Sequence, residues 1–265
     1  MNPKKIGFIG CNNMSGAILH GALEGRALSK ENVYVYDINP VVIERMTSLG
    51  VNVVANNHEL CQKSDLIVLG TKPQHLEGAL LECGNALDGK AVVSIAAGIT
   101  IERIDAMIVG KARILRIMPN TPSMVNAGAN VFCLETDLKE DEKETVVAIF
   151  NAIGMVEWVP ERLINAISGM SGGGPAYIAM FIEAMADAGV KNGIPREMAY
   201  RLSAQTCFGT AKMILETKMH PGMMKDMVTS PGGTTIEGVE ALEKGGMRYA
   251  VMDCITRATK KASKL

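Results

Sequence analysis

The chain has 265 residues and a formal net charge of −1, so it offers no basic footprint for nucleic acid or for an anionic membrane surface. Its length suits one large or two modest domains, and no apolar run approaches the ~18 residues a membrane helix needs. Six cysteines without a C-x-x-C pair and four scattered histidines argue against disulfides and against a metal site. The first residues run straight into a strand, which predicts no leader and a cytoplasmic protein.

Lys5-Ile6-Gly7-Phe8-Ile9-Gly10 reads as a short buried strand, and beyond it Ala17, Ile18, Ala22 and Leu23 recur at helical spacing. A strand, a tight turn and a helix form the opening of a dinucleotide-binding unit, where G-x-G-x-x-G/A lets backbone approach a pyrophosphate. This turn carries Gly10, Asn12 and Ser15, so one glycine of the three is present; Asn12 is the mildest substitute if its position requires positive φ. The second strand, Val33 to Tyr36, ends at Asp37, about 20 residues further on, where an acidic residue accepts from the adenosine ribose. Ile38-Asn39-Pro40 supplies no Arg or Lys for a 2′-phosphate, which leans towards NADH; the other reading of Asp37 is a turn aspartate capping the next helix.

Apolar runs at 51–54, 66–69, 92–95 and 114–118, separated mostly by helical pattern, predict a parallel sheet. A charged amphipathic helix at 138–152 and a strand at 155–159 close a Rossmann-type α/β dinucleotide-binding domain over residues 1–160. From 161 to 265 the pattern is helical throughout, with helices at 176–190, 197–216, 221–228, 235–243 and 247–262 and breaks at proline and glycine. An all-helical domain of this kind buries its apolar faces best against a second copy, which predicts at least a homodimer. Eighteen methionines, with Met223, Met224 and Met227 clustered, suit flexible core filling or an adaptable helix interface.

Between two of those helices, Val228-Thr229-Ser230-Pro231-Gly232-Gly233-Thr234-Thr235-Ile236-Glu237 puts a polar, glycine-bearing loop directly before an amphipathic segment. Thr234 and Glu237 have capping-box spacing, so a helix is expected to begin there, with Val239 and Leu242 on its apolar side. Free N–H groups at a helix start suit a small anion, Gly232 and Gly233 allow close approach, and Ser230, Thr234 and Thr235 add hydroxyls. The plainer reading is an ordinary capped helix after a Pro-Gly turn.

Taken together, GFIGCNNM at 7–14, TKPQ at 71–74, SIAAGI at 94–99, RIMPNTP at 116–122, SGGGPAY at 171–177 and VTSPGGTTIEGVEALE at 228–243 resemble the pyrroline-5-carboxylate reductases over nearly the whole chain. The resemblance implies reduction of a cyclic imine, 1-pyrroline-5-carboxylate, to proline with NADPH or NADH. It implies a cofactor lying along Gly10, Cys11, Asn12, Asn13 and Met14, then Asp37, Asn57, Thr71, Lys72 and Pro73, with Ala96, Ala97, Gly98, Pro119 and Asn120 at the nicotinamide end. Ser230, Gly232, Gly233, Thr234 and Thr235 would hold the substrate carboxylate, with Ser230 and Thr235 catalytic and the Thr235 hydroxyl on the ring nitrogen. No His, Glu or Lys in that loop is an obvious general acid, so protonation by solvent or before binding is the expectation. C-terminal helices of two subunits would interlock, with rings of dimers beyond that, and the site would be incomplete in a monomer.

The sequence departs from the family pattern at Asn12 and Gly173, which replace a glycine and a serine, and at Asn165, Ser168 and Met224. Two other classes therefore stay open: a divergent paralogue reducing another small imine or acid, and a non-catalytic dinucleotide sensor. A β-hydroxyacid dehydrogenase would need a lysine soon after the glycine-rich motif, whereas the next lysine after Gly172 to Pro175 is Lys191.

Overall fold

In the computed structural model, which describes residues 4–263, the chain forms two compact units. One comprises the residues up to Gly172 together with those from Ala258 onward; the other is Gly173–Arg257.

The first unit alternates strand and helix: β1 Ile6–Ile9, α1 Asn13–Glu24, β2 Val33–Tyr36, α2 Pro40–Leu49, β3 Asn52–Val53, α3 Asn57–Lys63, β4 Leu66–Leu69, α4 Pro73–Cys83, β5 Ala91–Ser94, α5 Ile101–Met107 and β6 Arg113–Met118. β7 Gly128–Cys133, α6 Glu140–Asn151, β8 Gly154–Val159 and the short α7 Ile164–Ile167 follow. The eight strands lie in the order β3-β2-β1-β4-β5-β6-β7-β8. All pairings are parallel except β6 with β7. Every residue of β1, β4 and β5 is buried, because helices cover both faces of a parallel sheet. Alternation divides the core accordingly: Phe8, Leu66 and Val68 pack on one face with α1 and α6, and Ile9, Ile67 and Leu69 on the other with α3 and α4. Phe132 stands edge-on to Phe150 at 5.2 Å and to Trp158 at 5.0 Å, which seats α6 on β7 and β8.

Helices begin just beyond strand ends, and the sequence says why. Asn12 Oδ1 accepts from Met14 N, Asn39 from Val41 N, Asn56 from Glu59 N and Thr100 from Arg103 N, while Pro40 and Pro73 open α2 and α4. These N-termini gather at the carboxyl edge of the sheet. At the opposite edge, Arg113 donates to Glu142 through Nε at 2.9 Å and Nη2 at 2.6 Å, and Glu142 also accepts from the Lys139 N–H. Burial pushes the Glu142 carboxyl up, but these hydrogen bonds outweigh it and hold the group below its usual 4.5. A carboxyl lowered on folding stabilises above its unfolded pKa, and that stabilisation is lost as pH falls through the folded value. Glu142→Gln is expected to cost about 2 kcal/mol at neutral pH and to flatten the drop in melting temperature between about pH 5 and pH 3, as read by circular dichroism.

The second unit contains α8 Gly174–Lys191, α9 Arg196–Thr217, α10 Pro221–Met227, α11 Thr234–Lys244 and most of α12 Met247–Ala262. α8 and α9 bury Ala186, Ala199 and Ser203, and α10 to α12 bury no residue at all. Large apolar side chains stay uncovered instead: Leu215 is 70% exposed, Tyr249 75% and Phe208 58%.

Candidate active site

At the carboxyl edge of β1, Gly10 takes φ +77, the left-handed turn its position in the motif calls for. Asn12 does not: its φ is −69, so no positive-φ substitute is needed there. Its side chain folds back, capping α1 through Oδ1 and donating from Nδ2 to Gly70 O at 2.6 Å. The close helix-to-strand approach that the third motif glycine provides is supplied from the strand side. A Cβ on Gly70 would stand 2.4 Å from Ser15 Oγ and 2.5 Å from Gly10 O. The turn is therefore intact in shape with one of three motif glycines.

Asp37 directly follows β2 and is already engaged: Oδ2 accepts from Cys11 N at 2.7 Å and Oδ1 from Asn39 N at 2.9 Å. Each carboxylate oxygen keeps a further acceptor position. The turn-aspartate reading and the ribose reading are thus compatible, because the two N–H bonds orient the carboxylate at the cavity wall. Cys11 is the exception among the turn residues. Its thiol is buried against Met46 at 3.4 Å, and burial pushes it up to about 12, with Arg45 opposing and Asp37 adding to the shift. Such a thiol is inert, and Cys11 contributes to the turn through its backbone.

Gly10, Asn12, Asp37, Asn57, Thr71 and Lys72 line one cavity of about 550 Å³, within the range of small-molecule sites. Asn57 Oδ1 and Thr71 Oγ1, both from this wall, are buried and have no hydrogen-bond partner in the protein. Buried polar atoms are almost always paired, so two orphans in one wall fit a ligand carrying hydroxyl and phosphate groups, as a dinucleotide does. The third such atom, Ser64 Oγ, sits beside Gly7 in the sheet. The cavity has a further wall that the motifs do not show. His75, Gly78, Ala79 and Glu82 of α4 line it as one helical stripe, while Leu76, Leu80 and Cys83 of the same helix are buried. The spacing of Leu76, Leu80 and Cys83 marks the buried side of α4 in the sequence, and His75, Gly78, Ala79 and Glu82 lie on the side it leaves over.

Asn13, Met14 and Pro73 lie in the first turns of α1 and α4, beside the cavity-lining residues. Ala96, Ala97 and Gly98 form the loop after β5, and Pro119 and Asn120 the loop after β6. Strand order places both loops further along the same edge, past the switch between β1 and β4 where open α/β sheets bind ligands. Asn120 holds backbone here: Oδ1 accepts from Ala129 N at 2.8 Å and Nδ2 donates to Ser171 O at 3.2 Å. Arg116, 3% exposed, donates to Glu161 Oε1 at 2.8 Å, and the same oxygen accepts from Ile101 N at 2.9 Å. One carboxylate therefore ties the strand leading to Pro119 to the helix that follows Gly98.

In the second unit, Pro231-Gly232 makes a turn closed by Gly233 N donating to Ser230 O at 3.0 Å, with Gly232 at φ +65. α11 starts at Thr234, as the spacing predicts, but the capping box does not form. Thr234 is the first helical residue, Gly233 holds the cap position at φ −82 and ψ 174, and no side chain caps the helix. A threonine already inside the helix cannot accept from the amide three residues on, as a cap does. Ser230, Thr234 and Thr235 are exposed, and the Ser230 hydroxyl folds over Gly233, 2.4 Å from where a Cβ would stand. Gly173 caps α8 without a side-chain bond, so its missing hydroxyl is absent from a helix cap.

Two family models match separate parts of the chain. Residues 161–265 match the family model described as pyrroline-5-carboxylate reductase dimerisation, and residues 5–98 match NADP oxidoreductase coenzyme F420-dependent. The pyrroline-5-carboxylate reductase of Escherichia coli (strain K12) is 42% identical over 264 residues, covering 99% of this chain and 98% of that protein. The chain belongs to the pyrroline-5-carboxylate reductase family. Solved relatives share its whole fold. A pyrroline-5-carboxylate reductase from Coxiella burnetii superposes with a TM-score of 0.92 at 32% identity, covering 99% of this chain and 98% of that one. The Plasmodium falciparum pyrroline carboxylate reductase, solved with NADP bound, gives 0.89 at 32%, covering 100% and 98%. The first part of this reductase is thus an NAD(P)-binding Rossmann-type domain and the second an all-helical dimerisation domain. Among the described residues no helix is long and apolar enough to cross a membrane.

Proposed function

We propose that this chain reduces 1-pyrroline-5-carboxylate to L-proline, the last step of proline biosynthesis, with NADPH or NADH. Residues 1–160 form the dinucleotide domain, holding the cofactor along Gly10 to Met14, Asp37, Asn57, Thr71 to Pro73, Ala96 to Gly98, Pro119 and Asn120. Residues 161–265 hold the substrate and the subunit contacts. The observation that carries the reading is the uncapped start of α11 behind the Pro231-Gly232 turn: with glycine at the cap, the first-turn amides stand open to a carboxylate.

When bound, the reduced nicotinamide supplies a hydride to the carbon of the C=N bond. Ser230, Gly232, Gly233, Thr234 and Thr235 fix the substrate carboxylate, and the Thr235 hydroxyl holds the ring nitrogen, accepting from N–H or donating to a lone pair. An imine protonated before binding arrives as the better electrophile, and the product amine takes its second proton from solvent. The chain then needs no general acid, and its contribution is orientation of the substrate.

The uncovered apolar side chains of the helical unit support a homodimer, and rings of dimers extend the same surface. Six free cysteines suit the reducing cytoplasm.

Loss of reduced-nicotinamide absorbance on mixing with pyrroline-5-carboxylate, with proline as product, tests the activity. Binding without consumption would instead mark a dinucleotide sensor, and consumption only with another imine a divergent paralogue. Thr235→Val is expected to lower kcat/KM about tenfold while leaving cofactor Kd unchanged, with Thr235→Ser restoring most of the loss. An unchanged kcat/KM in Thr235→Val would remove that hydroxyl from the mechanism.

A further inference from the structure

We infer that α10 is a splint for the carboxylate-binding turn, and that His220 and Thr229, which bind its two ends, are positioning residues for reduction of the imine. The inference rests on the reading of the α11 start given above. α10 has seven residues and buries none of them, so the packing of its own chain does little to hold it helical. Helices of that length are marginal in water by propensity alone, and Gly222 within it is a poor helix former. The bonds at its two ends then decide whether it forms.

Both ends are tied by side chains. At the start, His220 holds the cap position with φ −63 and ψ 133, its ring Nδ1 accepts from Gly222 N at 3.1 Å, and its carbonyl accepts from Met224 N at 3.1 Å. The imidazole does there what an asparagine or aspartate oxygen does at most caps. Glycine at 222 gives the ring its place, since a Cβ there would stand 3.1 Å from Nδ1 and 3.3 Å from Cε1. At the far end, Thr229 Oγ1 donates to Lys225 O at 2.6 Å and Thr229 N donates to Asp226 O at 3.1 Å, which takes up carbonyls of the last turn. Thr229 is half-buried and its hydroxyl is thereby spent on the protein, whereas Ser230, Thr234 and Thr235 are exposed. Between Thr229 and α11 lie Ser230 to Gly233, the turn closed by Gly233 N on Ser230 O. So short a turn has little slack, and the end of α10 fixes where Ser230 stands against the open amides of α11.

The test compares two imines that differ only in the carboxylate, 1-pyrroline-5-carboxylate and 1-pyrroline, by kcat/KM with the whole protein and saturating reduced nicotinamide. The wild-type protein is expected to favour the carboxylate by roughly 100-fold. His220→Ala and Thr229→Val are each expected to cut that ratio about fivefold, chiefly through a higher KM for the carboxylate imine. 1-Pyrroline, which has nothing for the turn to hold, loses far less. His220→Asn, which keeps a cap acceptor, and Thr229→Ser, which keeps the hydroxyl, are expected to restore most of the ratio. Equal losses on both imines, as a general weakening of the fold would give, or a ratio unmoved in either variant, overturn the splint. A wild-type protein that reduces both imines alike overturns the carboxylate reading of the turn and the splint with it, and turnover of neither imine overturns the reductase reading itself.

Discussion

Gly70→Ala is expected to abolish high-affinity binding of reduced nicotinamide, weakening it at least ~100-fold, in a protein that keeps its helical content. The new Cβ would stand 2.5 Å from both Gly10 O and Ser15 Cβ, and neither is the loose end of a flexible side chain. Relief requires the β1–α1 turn to move away from β4, and every ligand-facing feature of the turn depends on that spacing. Gly70 N donates to Ile9 O at 2.9 Å, and Asn12 Nδ2 reaches Gly70 O, so the displacement also strips the Asn12 cap from its anchor. Small shifts of a group that must meet a phosphate are disproportionately costly. Titration of NADH against the variant, with circular dichroism as the folding control, decides the matter; near-native affinity would show that the turn tolerates a methyl there.

Arg116→Met is expected to cost about 3 kcal/mol of stability and to lower kcat more than cofactor affinity. The guanidinium is buried in β6, and removing it leaves Glu161 with a partly buried carboxylate that keeps the hydrogen bond from the Ile101 N–H but loses its counter-charge. Breaking one half of such a pair is expensive because the other charge stays behind. The carboxylate is also the joint between the segments bearing Gly98 and Pro119, so loosening it disturbs the loops proposed for the nicotinamide end. Urea denaturation together with steady-state kinetics separates the two effects. Removing the partner charge as well, in Arg116→Met with Glu161→Gln, is expected to recover part of the stability, and no recovery would argue against the pairing.

Periodicity determined most of the architecture without help. Short apolar runs give β1, β2, β4 and β5, and the caps at Asn39, Asn56 and Thr100 start helices where side-chain oxygens can take orphan N–H groups. Five helices after residue 161 follow from apolar spacing interrupted by proline and glycine. These are local preferences, and a chain states them residue by residue.

What the sequence could not state is which distant groups would meet. β7 was not legible, because Asn130 interrupts its apolar pattern; in the fold that side chain is buried and satisfied, taking the Ser123 hydroxyl at 3.1 Å and donating to Phe150 O and Met155 O. The missing motif glycines looked like defects until Gly70, on another strand, supplied the clearance, and Asn12 took a conformation that any residue can adopt. The cap of α11 passed from Thr234 to Gly233 because the Pro231-Gly232 turn sets where helical backbone begins. Glu82 became part of the cavity because α3 and α4 bring it to Asn57, 25 residues away in the chain. Local chemistry thus fixed the elements and the kind of ligand, and packing across sequence distance decided the shape and charge of the wall that receives it.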